Sequence, residues 1–126
     1  MDRHSDHKQL IAGCYKHLES IFAGSKEAVC LYLDDSNKIC NKKFAQLLGY
    51  NSPDEWAKVE PFLESFVAYD SQASLTTSYL LAIDKMLGSK LRVLWRAKTG
   101  KIIPTDVIII PVIFKDHLFA LHLVSP

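Results

Sequence analysis

The chain has 126 residues, 48% of them hydrophobic, and a net charge of +1. That length suits one domain whose core hides roughly two-thirds of the unfolded surface, and the apolar content excludes a disordered tail. Balanced charge gives no reason to expect nucleic acid or an anionic membrane as a partner.

Leu10, Ile11, Cys14, Leu18, Ile21 and Phe22 recur every three or four residues between Lys8, Lys16 and Glu19, which predicts an amphipathic helix from about Ser5 to Phe22, ended by Gly24 and Ser25. Its stripe either covers an apolar surface of its own domain or makes a dimer contact through Leu10, Cys14, Leu18 and Ile21. Ala28 to Leu33 reads as a strand, Asp34 to Asn37 as a turn, and Lys38 to Asn41 as the returning strand. Phe44, Leu47 and Leu48 then fall at helical spacing, and Gly49 supplies the left-handed residue that stops such a helix. A second short helix starts at once, with Ser52 as N-cap, Pro53 in the first turn and Glu55 completing a Ser-x-x-Glu capping box.

Pro61 to Phe66 forms another short helical segment, since proline is tolerated in a first turn. Asp70 or Ser71 is expected to cap a longer helix whose apolar stripe is Leu75, Tyr79, Ile83, Met86 and Leu87, with Gly88 as its stop. Three strands follow, Leu91 to Ala97, Ile102 to Phe114 and Leu118 to Val124, joined by turns at 98–101 and 115–117. Pro104 and Pro111 each remove a ladder donor, so the long strand should have a bulge, a break or an edge there. From Val107 to Phe114 the apolar residues do not alternate with polar ones, so both faces of the sheet should be covered, the second by the N-terminal helix or by another subunit.

The stretch from Cys40-Asn41 through Lys-x-Phe-x-x-Leu-Leu-Gly-Tyr50 to Ser52-Pro-x-Glu-Trp56 resembles the first half of a PAS domain, and the element order matches that family from about Lys26 to Val124. The resemblance implies an α+β fold: a five-stranded antiparallel sheet with helices packed on one face, used in signalling proteins to hold small ligands or partner proteins. Residues 1–25 would be a variable flanking helix and residues 26–126 the domain itself. Asn41 corresponds to the family's strand-end asparagine and, with Gly49, reads as a structural turn residue. Trp56 reads as a packing residue or an interface anchor.

A pocket in this fold would lie between the long helix and the sheet, where Tyr79, Ile83, Trp95 and His122 are the candidate ligand-binding residues. His122, in an apolar strand, is either a satisfied sheet histidine or a group offered to a ligand. Haem-binding members carry an axial histidine on or after the long helix, and Asp70 to Leu91 contains none. Flavin-binding light sensors carry an Asn-Cys-Arg-Phe stretch on a helix, and here Cys40-Asn41 is reversed and ends a strand. Neither haem nor photoactive flavin is supported, and Cys40 reads as a small core residue.

Catalysis has no support either. Asp34 and Asp35 have turn chemistry, Asp116-His117 lies in a hairpin turn without a nucleophile motif, and His4, Asp6 and His7 are too generic in spacing to make a metal site. The five glycines are isolated, which excludes a phosphate-binding loop. Lys42 and Lys43, and the row Lys90, Arg92, Arg96, Lys98 and Lys101, read as solvated surface rather than a nucleic-acid patch.

Cys14, Cys30 and Cys40 lack the spacing of a disulfide framework or zinc site, and the start has no apolar signal-peptide core, so a cytoplasmic location is expected. The apolar run from Val107 is too short to span a bilayer. The Asp-Ile-Thr-like triplet that links many family members to an output domain is replaced by Leu123-Val124-Ser125-Pro126, so output should be non-covalent. The expected function is a stand-alone sensory or signalling module that binds a small ligand, a partner signalling protein or both, as a homodimer. A ligand-free dimerisation module is the alternative, and a small enzyme using the cavity is a remote one.

Overall fold

A computed structural model describes residues 3–126, with side chains described from residue 7 onward. The elements in chain order are α1 (Arg3–Gly24), β1 (Ala28–Asp34), β2 (Asn37–Cys40), α2 (Lys42–Leu47), α3 (Pro53–Ala57), α4 (Phe62–Phe66), α5 (Tyr69–Lys85), β3 (Ser89–Arg96), β4 (Ile102–Phe114) and β5 (His117–Ser125). The strands form one five-stranded sheet in the order β2-β1-β5-β4-β3, antiparallel throughout. The architecture is α+β, as the sequence implied.

Period-two alternation sorts the strands' side chains onto two faces. Cys30, Val93, Trp95, Val107, Ile109, Ala120 and Val124 point to the face carrying α2 to α5, where they pack with Phe44, Trp56, Phe62, Phe66, Leu75 and Ala82. Val29, Leu31, Phe119 and Leu121 form a second cluster with Ile11, Cys14 and Phe22 of α1. Both layers are needed because β1 and β5 are apolar on both sides. Burying a side chain the size of Ile11 or Phe22 contributes about 1.5–3 kcal/mol, enough to hold α1 down.

Local signals set the first half. Ser52 accepts a hydrogen bond from the Glu55 N–H at 3.1 Å, and Gly49 has φ 82°, the left-handed value that a Cβ disfavours. The Glu55 carboxylate returns to the N–H of Asn51 at 3.3 Å, one residue earlier than a standard box. Pro61 stands just before α4, at the N-cap, rather than in its first turn.

The long helix departs from expectation at both ends. Ala68, without a side-chain bond, precedes α5, and Met86 at φ 56° closes it, so neither Asp70 nor Ser71 is the cap and Gly88 is not the stop. Ser71 is drawn away because its hydroxyl accepts from the Leu94 N–H at 2.9 Å, fastening the helix to β3. The buried line is Ser71, Leu75, Ser78 and Ala82, while Met86 and Leu87 are each 54% exposed. Small residues on this line let α5 approach the sheet closely, which rotates the expected stripe outward.

β4 runs unbroken through both prolines because each stands where the strand is paired on one side only. Pro104 faces β3, since β5 pairing starts at Asp106, and Pro111 faces β5, since β3 pairing ends at Ile109. Coverage of the second face is partial. Val112 and Phe114 pack beneath α1, whereas Ile108 and Ile110 are 43% and 38% exposed. The turn into β5 is a two-residue hairpin in which Lys115 and Asp116 both have positive φ.

Candidate ligand cavity

A cavity of about 200 Å³ opens between α4, α5 and the inner face of the sheet, lined by Tyr32, Phe62, Leu63, Leu75, Thr76, Tyr79, Leu80 and His122. Tyr32 comes from β1 and His122 from β5, adjacent strands in which Tyr32 pairs with Ala120 and Cys30 with His122. Three of the walls are aromatic rings in mutual contact: Tyr32 lies 4.9 Å from Phe62 and 5.4 Å from Tyr79, centroid to centroid. Phe62 in turn lies 6.4 Å from the His122 ring.

Of the sequence candidates, Tyr79 and His122 line this cavity and Trp95 and Ile83 do not. Trp95 faces the correct side of the sheet but sits on edge strand β3, under α2 and α4. It is fully buried there, 5.2 Å from Phe44 and donating from Nε1 to the Thr105 hydroxyl at 2.8 Å. Ile83 follows Tyr79 by one turn on α5 and does not line the cavity. Tyr32, Phe62 and Leu63 were missed because β1 and α4 approach α5 only in the tertiary fold. Pro61 was the sequence signal for a helix at Phe62.

The polar groups of the cavity are mostly engaged by the protein itself. The Tyr32 hydroxyl donates to the Asp35 carboxylate at 2.8 Å, and burial, then that carboxylate, holds its phenol well above the ordinary range. Tyr79 reaches the Leu33 carbonyl at 3.5 Å, and its phenol is raised by burial and by Asp34, Asp84 and Asp35 nearby. His122 is 2% exposed and donates from Nδ1 to the Ala120 carbonyl at 3.1 Å, with the Cys30 carbonyl also beside the ring; in this tautomer Nε2 is the ring's acceptor. Burial pushes its pKa down to about 4.

That shift predicts an acid sensitivity. Unfolded chain takes up a proton on this histidine below its ordinary pKa of 6.5, and folded chain does not until about pH 4. Acid therefore favours the unfolded state, and the stability present above 6.5 is lost as pH falls through that window. Between about pH 7.5 and pH 5 the loss is about 2 kcal/mol. Urea titrations of the wild type and His122→Gln at both values check it: the variant should be less steep by about that amount. Equal slopes would refute the assignment.

The other residues singled out in the sequence lie outside the cavity. Asn41 caps α2 and ties it to β1, and Trp56 is fully buried in its own core rather than presented as an interface anchor. Its indole N–H lacks a hydrogen-bond partner but lies among rings, with Phe44 and Phe62 edge-on at 5.3 and 6.3 Å. Lys38 is 2% exposed, with Nζ bonded to the carbonyls of Asp35 and Ala57 and 5.5 Å above the Trp56 ring. Leu10, Cys14 and Leu18 pack on their own sheet, and Ile21 is 46% exposed. Cys30 and Cys40 are buried free thiols, both raised chiefly by burial, Cys40 to about 12.

His7 pairs with Asp34 at 2.6 Å, which fastens α1 to the end of β1, while the side chains of His4 and Asp6 lie outside the described residues. Among the described residues no group of His, Cys, Asp and Glu is placed to hold a metal, and no helix is long and apolar enough to cross a membrane. Within the basic row, Arg92 pairs with Asp106, Arg96 donates to the Glu64 carbonyl, and Lys98 pairs with Glu55.

No family model matches the sequence, and no curated protein matches it. Solved structures do. A PAS domain of a protein from Colwellia psychrerythraea superposes with a TM-score of 0.69 at 17% identity, covering 89% of this chain and 95% of that one. The PAS domain of an HTR-like protein from Haloarcula marismortui covers 98% of both chains at 16% identity, with a TM-score of 0.61. A PAS domain from a two-component sensor histidine kinase gives a TM-score of 0.65 at 12% identity, covering 90% of this chain and 96% of that one. With the strand order, the α2 to α5 layer and nearly full-length superposition in agreement, this chain folds as a PAS domain.

Proposed function

We propose that this chain is a sensory or signalling module whose cavity takes a small, largely apolar ligand and whose output is a non-covalent association. The observation that carries the reading is the cavity itself, concave, walled by aromatic and aliphatic side chains, and touched by few polar groups. The chain acts as a binding module without chemistry of its own, located in the cytoplasm, with residues 1–25 as its flanking helix. A ligand alters output only by binding two states of the module unequally, and α4, α5 and β5 are the elements it would bias.

Native mass spectrometry and an absorption spectrum of freshly purified protein test the reading. A stoichiometric small molecule released on denaturation supports it. A ligand-free protein that also fails to take up small aromatic probes removes the sensor and leaves an interaction module.

Association is proposed through the outer sheet face beside α1. Ile102, Ile108 and Ile110 are exposed there on β4, outside the area that α1 covers. Their face is the kind of apolar surface that a second copy would bury. Light scattering at high micromolar concentration should give a dimer, and Ile108→Glu should shift it to monomer. A wild-type monomer at that concentration would refute the homodimer.

A further inference from the structure

This inference rests on the cavity reading above and specifies its ligand. We propose that the cavity selects a neutral single-ring aromatic molecule bearing one hydroxyl or N–H donor, phenol-like in chemistry, and rejects carboxylates.

Size comes first. An apolar cavity of about 150 Å³ holds one benzene ring, and this one, at about 200 Å³, has room for a ring with one or two small substituents. A flavin or haem is far too large for it. The walls favour a ring over a chain of the same volume, because Tyr32, Phe62, Tyr79 and His122 present faces and edges at centroid spacings of 4.9 to 6.4 Å. Such spacings suit offset and edge-to-face contacts, worth about 0.5–1.5 kcal/mol each beyond burial.

Hydrogen-bond accounting gives the donor. The Tyr32 hydroxyl already donates its hydrogen bond to Asp35, and His122 Nδ1–H donates to the Ala120 carbonyl. What His122 keeps is an acceptor, Nε2, on a ring whose burial keeps it neutral at physiological pH. Tyr79, held only by a 3.5 Å contact to Leu33, is free to accept or donate. A ligand that brings a proton satisfies His122; an ether or hydrocarbon of equal shape leaves that nitrogen buried without a partner.

Charge gives the rejection. No lysine or arginine lines the cavity, and the carboxylates near its two tyrosines are those of Asp34, Asp35 and Asp84. Their field already disfavours the phenolate forms of Tyr32 and Tyr79, and it acts on an anionic ligand with the same sign. Burying an anion without a counter-charge adds a desolvation cost that no contact there offsets.

The full chain is titrated with phenol, methoxybenzene, toluene and benzoate, followed by ligand-observed NMR and calorimetry. Phenol should bind at least tenfold more tightly than methoxybenzene or toluene, and benzoate should not bind at millimolar concentration. The phenol preference should fall to within about threefold in His122→Leu. Should that variant not fold, Tyr79→Phe, at a half-buried site, should reduce phenol affinity and leave toluene unchanged. Toluene or methoxybenzene binding as tightly as phenol, or benzoate binding more tightly, overturns the ligand class while the cavity reading stands. Failure of all four probes to bind overturns both.

Discussion

Replacing Trp95 with alanine lowers the free energy of unfolding by about 4–5 kcal/mol, the largest loss expected for a single side chain here. The indole is completely buried and meets Phe44 at 5.2 Å and Phe62 at 6.2 Å, so its removal opens a void between β3 and two short helices. Helices of six and five residues have little stability of their own and cannot collapse onto the gap without losing their other contacts. A polar chain is lost as well. Trp95 Nε1 donates to Thr105, whose hydroxyl donates at 3.0 Å to the Val93 carbonyl, all within the buried face of a β3–β4 pair.

Two further variants separate packing from hydrogen bonding. Trp95→Phe keeps most of the volume and should cost about 2 kcal/mol, whereas Thr105→Val orphans the indole N–H and should cost about 1–3 kcal/mol. In the double variant the two costs should be less than additive, because a phenylalanine ring has no proton to orphan. Urea unfolding monitored by circular dichroism measures all four. Full additivity would show that the 2.8 Å contact carries no energy.

The fold was more legible in the sequence than the site, for a physical reason. Gly49, Ser52 and Glu55 act on backbone groups within four residues of themselves, so their chemistry can be read locally. Ser71 looks like an equally good cap, yet its hydroxyl serves a β3 N–H 23 residues away. Tertiary demand overrode local propensity there and shifted both the helix start and its buried stripe. Placing the pocket between the long helix and the sheet put Trp95 and His122 on the inner face, where both lie. It carried no information on where along the helical layer each would lie, so Trp95 fills the core at one side and His122 borders the cavity at the other. Tyr32 was hidden for the same reason, since only the β1–β5 pairing brings it beside the residues that border the cavity.

Asn41 lies where the legible part and the hidden part meet, and Asn41→Ala should cost about 3–4 kcal/mol. Its side-chain oxygen accepts from the N–H of Phe44 at 3.0 Å, which caps α2, and from the N–H of Val29 at 3.0 Å, which completes the β1 ladder past the last residue of β2. Its side-chain nitrogen donates to the Glu27 carbonyl at 3.0 Å and is 3.4 Å from the carbonyl of Phe22 near the end of α1. One 7%-exposed amide thus joins both helical layers to the sheet. Alanine would strand the Val29 and Phe44 donors in a place water does not reach, so the penalty exceeds that of an ordinary cap. Asn41→Asp divides the roles: it retains an acceptor for both N–H groups but loses both donors and sets a charge against two carbonyl oxygens. It should therefore be no more stable than the alanine variant at neutral pH and should recover about 1 kcal/mol or more as the carboxylate is protonated. Hydrogen exchange adds the spatial test. In Asn41→Ala the amides of Val29 and Phe44 should lose protection ahead of the β4–β5 ladder, whereas uniform loss across the sheet would show that Asn41 has no special hold on the junction.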